Sequence, residues 1–145
     1  MMARAKVLMA AALLVGGATA CSDLTGTTAR ADGVYFLQTV NGTLLPYQYI
    51  DSQTGNTVIV NSDTYSLNSD GTYSEFASYK VNGATQSQTE SGTWSQSNSV
   101  VTFFPTQSST GNTTSYQATI SNSNVFGGTR TLTISINQTT AIYSE

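Results

Sequence analysis

Histidine is absent from this sequence, cysteine occurs once and proline twice. Without imidazole there is no Ser-His-Asp or Cys-His arrangement, no His-ligated zinc and little acid–base chemistry near neutral pH. A single thiol cannot close an internal disulfide, so the fold rests on its own packing. Charge is scarce as well: Asp, Glu, Lys and Arg make up 9% of residues, five basic against eight acidic. No basic residues cluster, which argues against nucleic acid as a partner. Phosphate-binding and nucleophile-elbow loops are missing, and Gly127-Gly128 stands alone. For an enzyme this leaves mainly carboxylates. No catalytic residue, metal or cofactor is assigned, and the expectation is a non-enzymatic protein.

The first twenty residues read as a secretory signal. Arg4 and Lys6 form a positive start, Val7 to Val15 an apolar stretch, and Gly16-Gly17 break it before Ala18-Thr19-Ala20. The apolar stretch is too short to span a bilayer, which needs about 20 residues. Cys21 follows the expected cut directly. This arrangement resembles a bacterial lipoprotein leader, and implies that Cys21 carries lipid and tethers an exported protein to the membrane. More than one acyl chain, at ~0.8 kcal/mol per buried CH₂, makes a firm anchor. Ser22 in the next position resembles the outer-membrane sorting pattern, with the periplasmic and surface faces both open. Without Arg4 and Lys6, three basic residues remain against eight acidic ones, and the net charge moves from −3 to −5.

Residues 21–31 lack an apolar period and read as the lipidated N-terminus and tether; residues 32–145 read as one domain. Its texture is short runs rich in Tyr, Val, Ile, Thr and Phe between Asn-Gly, Ser-Asp-Gly and Ser/Asn clusters. That spacing predicts strands near 33–40, 43–50, 57–67, 72–81, 84–95, 99–104, 112–120, 125–136 and 139–144. Pro105 to Gly111 is expected to stop a strand and form a polar loop. Short connections favour antiparallel neighbours, and closure would remove exposed edges. The expected fold is all-β, a single antiparallel up-and-down β-barrel of about eight to nine strands.

Two hairpins fix a register. Ser69-Asp70-Gly71 suits a type I turn with a left-handed glycine, pairing Leu67 with Tyr73, Tyr65 with Glu75 and Asp63 with Ala77. Asn82-Gly83 suits a type I′ turn, pairing Val81 with Ala84, Tyr79 with Gln86, Ala77 with Gln88 and Glu75 with Glu90. The two registers agree about faces. Ile59, Tyr65, Leu67, Tyr73, Ala77, Tyr79, Val81, Ala84 and Trp94 share the core side, while a Ser/Thr set lies opposite with Phe76 as its exception.

The core side also receives Glu75 and Glu90, facing each other, with Asp63, Gln86 and Gln88 on the same face. Like charges so placed destabilise a sheet and push one pKa upward. Two readings follow. A register slip, or a hairpin projecting past the barrel, would put the carboxylates in solvent. Otherwise the interior holds a polar, tyrosine-lined ligand cavity, or a weak cation site from Asp63, Glu75 and Glu90. Tyr65, Tyr73, Glu75, Tyr79, Glu90 and Trp94 are the candidate ligand-binding residues, with plain core packing the alternative for the aromatic ones. Arg130, the lone basic residue of the C-terminal strands, is expected to be exposed, with a salt bridge to a carboxylate as the alternative.

Gly33-Val-Tyr-Phe-Leu-Gln-Thr-Val-Asn-Gly-Thr-Leu-Leu-Pro-Tyr47 resembles the opening of small bacterial lipocalin-like lipoproteins. Tyr65-Ser-Leu-Asn-Ser-Asp-Gly-Thr-Tyr73 and Glu90-Ser-Gly-Thr-Trp94 are similar to later parts of such chains. The resemblance implies a compact calycin-type barrel of about eight antiparallel strands. The combined expectation is a monomeric envelope lipoprotein that takes a small amphipathic or hydrophobic ligand inside its barrel. The alternative is a structural or interaction module with a solid core, binding protein or glycan through its surface.

Overall fold

The computed structural model describes residues 30–122 and 129–145. The expected signal at 1–20, the expected lipidation at Cys21 and most of the expected tether lie outside the described residues, as does the 125–128 part of one expected strand.

The described chain is an all-β barrel. Its strands are β1 (Gly33–Val40), β2 (Thr43–Leu44), β3 (Tyr47–Ile50), β4 (Thr57–Leu67), β5 (Thr72–Val81), β6 (Ala84–Ser97), β7 (Val100–Ser108), β8 (Tyr116–Asn122), β9 (Arg130–Ile136) and β10 (Thr139–Ser144). Sequential antiparallel pairing runs from β4 through β10, β10 pairs with β1, and β1 returns to β4 to close eight strands. β2 and β3 are extra, attached to the outer ends of β1 and β4.

Local turn chemistry sets the register. Asn82 and Gly83 both have positive φ, as a type I′ turn requires, and Gly71 is left-handed at +85°. The expected pairs Leu67–Tyr73, Asp63–Ala77, Ala77–Gln88 and Glu75–Glu90 all form.

Three expectations are corrected. Ile59 does not share the core side, because a bulge between Val60 and Ser62 shifts the alternation. Val58 and Val60 therefore point inward, and Ile59 pairs with the outward Lys80. Pro105 does not stop its strand: β7 continues to Ser108. Beyond Phe103 the strand has no β8 partner, and Pro105 sits beside a β7 bulge at Thr106, an edge position where a missing N–H is harmless. The expected single strand at 43–50 is two, divided at Leu45-Pro46.

The seam between β1 and β4 is closed at one end only. Gly33–Phe36 pair with Leu67–Thr64, but beyond them β1 turns to β2 and β4 to β3. Irregularities at Leu37/Thr39 in β1 and Val60/Ser62 in β4 lie where the two strands part. Bulges bend and twist a strand, so they let the wall open there. The closed end is packed solid around Phe103, whose ring lies 4.9 Å from Tyr73, 5.0 Å from Tyr116 and 5.3 Å from Tyr65. Tyr35, Leu67, Val101, Ile120 and Leu132 complete this core. Arg130, expected in solvent, instead pairs through its fork with the Glu145 carboxylate and donates to the Arg30 carbonyl, fastening the segment ahead of β1 and the residue after β10 to β9.

Candidate functional site

At the open end the interior is a cavity of about 460 Å³. Leu37 and Val40 of β1, Val58 and Val60 of β4, and Ile134 and Ile136 of β9 supply apolar wall; Tyr47 and Tyr49 of β3 cover the gap in the seam. The two tyrosine rings stack with centroids 5.9 Å apart. Ile50 reaches the cavity while remaining largely exposed, which places it at the mouth. Asp51 is also at this rim, where its Oδ1 accepts the Gln53 and Thr54 N–H groups of the following turn.

Strand register explains what forms the floor. Asp63, Ala77 and Gln88 align across β4, β5 and β6 and all line the cavity. One inward step further from the mouth, Tyr65, Glu75 and Glu90 align, followed by Leu67, Tyr73 and Gly92. Period-two alternation therefore stacks the barrel in layers, with cavity above, carboxylates between and aromatic core below.

The carboxylate layer is buried, which overturns the solvent reading. Asp63, Glu75 and Glu90 are 9%, 5% and 9% exposed. The β5–β6 hairpin does project, since β6 meets β7 only from Glu90 onward, but both glutamates lie inside that level. Tyrosine hydroxyls meet the charge. Tyr143 donates to Asp63 Oδ2 at 2.7 Å, while Tyr73 and Tyr116 both donate to Glu90 Oε1 at 2.7 and 2.6 Å. Tyr65 and Tyr116 share a further bond of 2.9 Å. Such donors to a carboxylate are short and strong.

Asp63 and Glu75 lie near enough for each to act on the other's protonation. Burial raises the Glu75 pKa, and the charges of Asp63 and Glu90 raise it further, to about 9. Burial also raises Asp63, opposed chiefly by the Tyr143 bond. Glu75 is therefore the protonated member at neutral pH. Asp63 Oδ1 and Glu75 Oε2 are buried without a hydrogen-bond partner. Among the described residues no three potential metal ligands group to hold an ion, so Asp63, Glu75 and Glu90 do not assemble the cation site considered from the sequence.

The candidate residues divide by layer. Tyr79 lines the cavity. Glu75 and Glu90 lie below its floor, and Tyr65 and Tyr73 belong to the closed-end core. Trp94 is half-buried further toward that end, its indole donating to the Asn68 carbonyl at 3.1 Å. Tyr47, Tyr49, Val58, Val60 and Tyr143 line the cavity without having been singled out. Finding Tyr143 required the β9–β10 register and barrel closure, neither of which the central hairpins carry.

An eight-strand closed antiparallel barrel with this interior is compatible with a calycin or lipocalin-like fold. Compared with protein-family models, curated proteins and solved structures, the chain matches none of them.

Proposed function

We propose that this chain is a lipid-anchored envelope protein whose lipocalin-like barrel binds a small amphipathic or apolar molecule at its open end, without catalysis. The observation that carries the reading is the cavity of about 460 Å³ between the parted β1 and β4. Its size falls within the ~300–1,000 Å³ typical of small-molecule sites, and its mostly apolar wall with few polar groups has their usual character. The exposed Ile50 and Leu44 near the mouth support entry of an apolar body. The carboxylates support binding rather than turnover, because Glu75 and Glu90 lie beneath the cavity floor, held among tyrosines.

Native mass spectrometry of the protein, extracted from its host without denaturation, tests this. A small molecule that leaves on unfolding is the expected result. Repeated isolation of the bare chain, together with no uptake of apolar fluorescent probes, would sink the proposal. The anchor has its own test. Cys21→Ser is expected to move the protein from the membrane to the soluble fraction; unchanged membrane retention would count against lipidation.

A surface role draws support from Phe36 and Phe76, each about half exposed and aligned across β1, β4 and β5 through Thr64. Blocking ligand uptake by filling the cavity would leave such a role intact.

A further inference from the structure

We propose that the cavity selects amphipathic amines, with the apolar body against the β1, β4 and β9 wall and an ammonium head on Asp63 at the floor, above Glu75. The inference rests on reading the cavity as a ligand site and adds the chemical class of its ligand.

The wall itself is one-sided in charge. Asp51 and Asp63 are its acidic members, and no Lys or Arg lines it. Lys80 faces outward on β5, and Arg30 and Arg130 belong to the closed end. Asp51 is already used by its own turn. Asp63 differs: it is more than nine-tenths buried, lines the cavity, and its Oδ1 has no hydrogen-bond donor. Beside it Glu75, buried more deeply, has Oε2 in the same condition. An acceptor oxygen of Asp63 at the base of an apolar cavity, backed by a second on Glu75, calls for a donor that the fold itself does not provide.

A primary ammonium brings three donors and a positive charge to that place. A hydroxyl brings a single donor and no charge, and a carboxylate brings like charge and no donor. The groups around the pair reinforce this preference. Tyr143 from β10 and Tyr65 from β4 are neutral donors, and Glu90 from β6 is a further acid held by Tyr73 and Tyr116. No cation among them competes with the ligand.

In the free protein Glu75 carries a proton behind the Asp63 carboxylate. In the complex the ammonium donates to Asp63, and its charge favours the ionised form of Glu75, whose proton leaves to solvent. Amine binding therefore releases about one proton and tightens as pH rises from 6 to 9, whereas alcohol binding does neither.

The experiment is isothermal titration of the full-chain protein with decylamine, decan-1-ol and decanoic acid at pH 7.5, in two buffers of different ionisation enthalpy. Decylamine is expected to bind at least about tenfold more tightly than decan-1-ol, decanoate weakest, with about one proton released in the amine complex alone. Asp63→Asn is expected to abolish the amine's advantage while decan-1-ol still binds, which also certifies that the variant is folded. Should Asp63→Asn not fold, the wild-type affinity ratio and proton release decide. If decan-1-ol matches or exceeds decylamine, the ligand class is wrong although the cavity still binds. If none of the three binds, the cavity reading fails and the amine proposal falls with it.

Discussion

Glu75 stands in an environment that a carboxylate avoids. Burial, then the charges of Asp63 and Glu90, lift its pKa from 4.5 to about 9, and Asp63 moves in the same direction from 3.8 to about 6. A group whose folded pKa is raised contributes its stabilisation fully below the unfolded value and loses it as pH rises through the folded one. The barrel should therefore be more stable at pH 5 than at pH 9, by on the order of 5 kcal/mol for Glu75 at about 1.4 kcal/mol per pH unit. Glu75→Gln should flatten that dependence and stabilise the protein at pH 9. Urea denaturation at the two pH values decides, and a wild-type stability that rises toward pH 9 would refute the protonated Glu75. Gly92 makes a second prediction of this kind. A Cβ there would overlap the Phe104 carbonyl oxygen and lie 2.9 Å from Pro105 Cα, both backbone atoms unable to swing aside. Gly92→Ala should cost at least about 2 kcal/mol by the same assay, because β6 and β7 must separate to admit it.

Among the elements, those governed by neighbours in sequence were the legible ones. The β4–β5 and β5–β6 hairpins carry their register in Ser69-Asp70-Gly71 and Asn82-Gly83, so the Glu75–Glu90 pair could be placed from the sequence. The Val58-Ile59-Val60 run offers apolar side chains in both phases of a strand. Only pairing with β3 and β5 through a bulge decides which phase turns inward. Pro105 likewise gives a correct local signal, a missing N–H, whose effect vanishes at an edge facing no β8 partner. Arg130 finds Glu145 through the β9–β10 hairpin register, whereas the Arg30 carbonyl reaches it only when closure brings β1 beside β10. The cavity depends on the same non-local event, and its tyrosines from β3 and β10 were accordingly not picked out. A small side chain on β5 offers a test of the cavity itself. Ala77→Leu projects added bulk into the space between Asp63 and Gln88, so probe uptake should fall at least about tenfold while stability changes by less than about 1.5 kcal/mol. Unaltered uptake, measured by fluorescence titration, would place binding elsewhere.

Across the whole molecule, packing differs between the two ends of one continuous sheet. Tyr35, Phe103 and Leu132 at the closed end are almost wholly enclosed, whereas Val60, Ile136 and Ala141 at the open end are only partly so. Truncation should reveal that difference. Leu132→Ala is expected to cost about 2–5 kcal/mol because surrounding side chains cannot collapse into the gap, and Val60→Ala, bordering space already open, should cost less than about 1.5 kcal/mol. Equal losses in chemical denaturation would mean that the open end is filled or collapses in solution. Backbone amides of the Gly33–Phe36 and Thr64–Leu67 seam should likewise exchange more slowly than those of β2 and β3, which open without breaking the eight-strand closure.

The parting of β1 from β4 also separates inheritance of the scaffold from inheritance of its selectivity. Residues 41–56 leave and rejoin the barrel at fixed points, and the eight-strand ladder does not pass through them. Lengthening this excursion adds little closure entropy, about 0.6 kcal/mol per doubling of a flexible loop. Grafts of different sequence and length can thus remodel the mouth while every hairpin register stays where it is. The fold is in this respect a cup with an exchangeable lip.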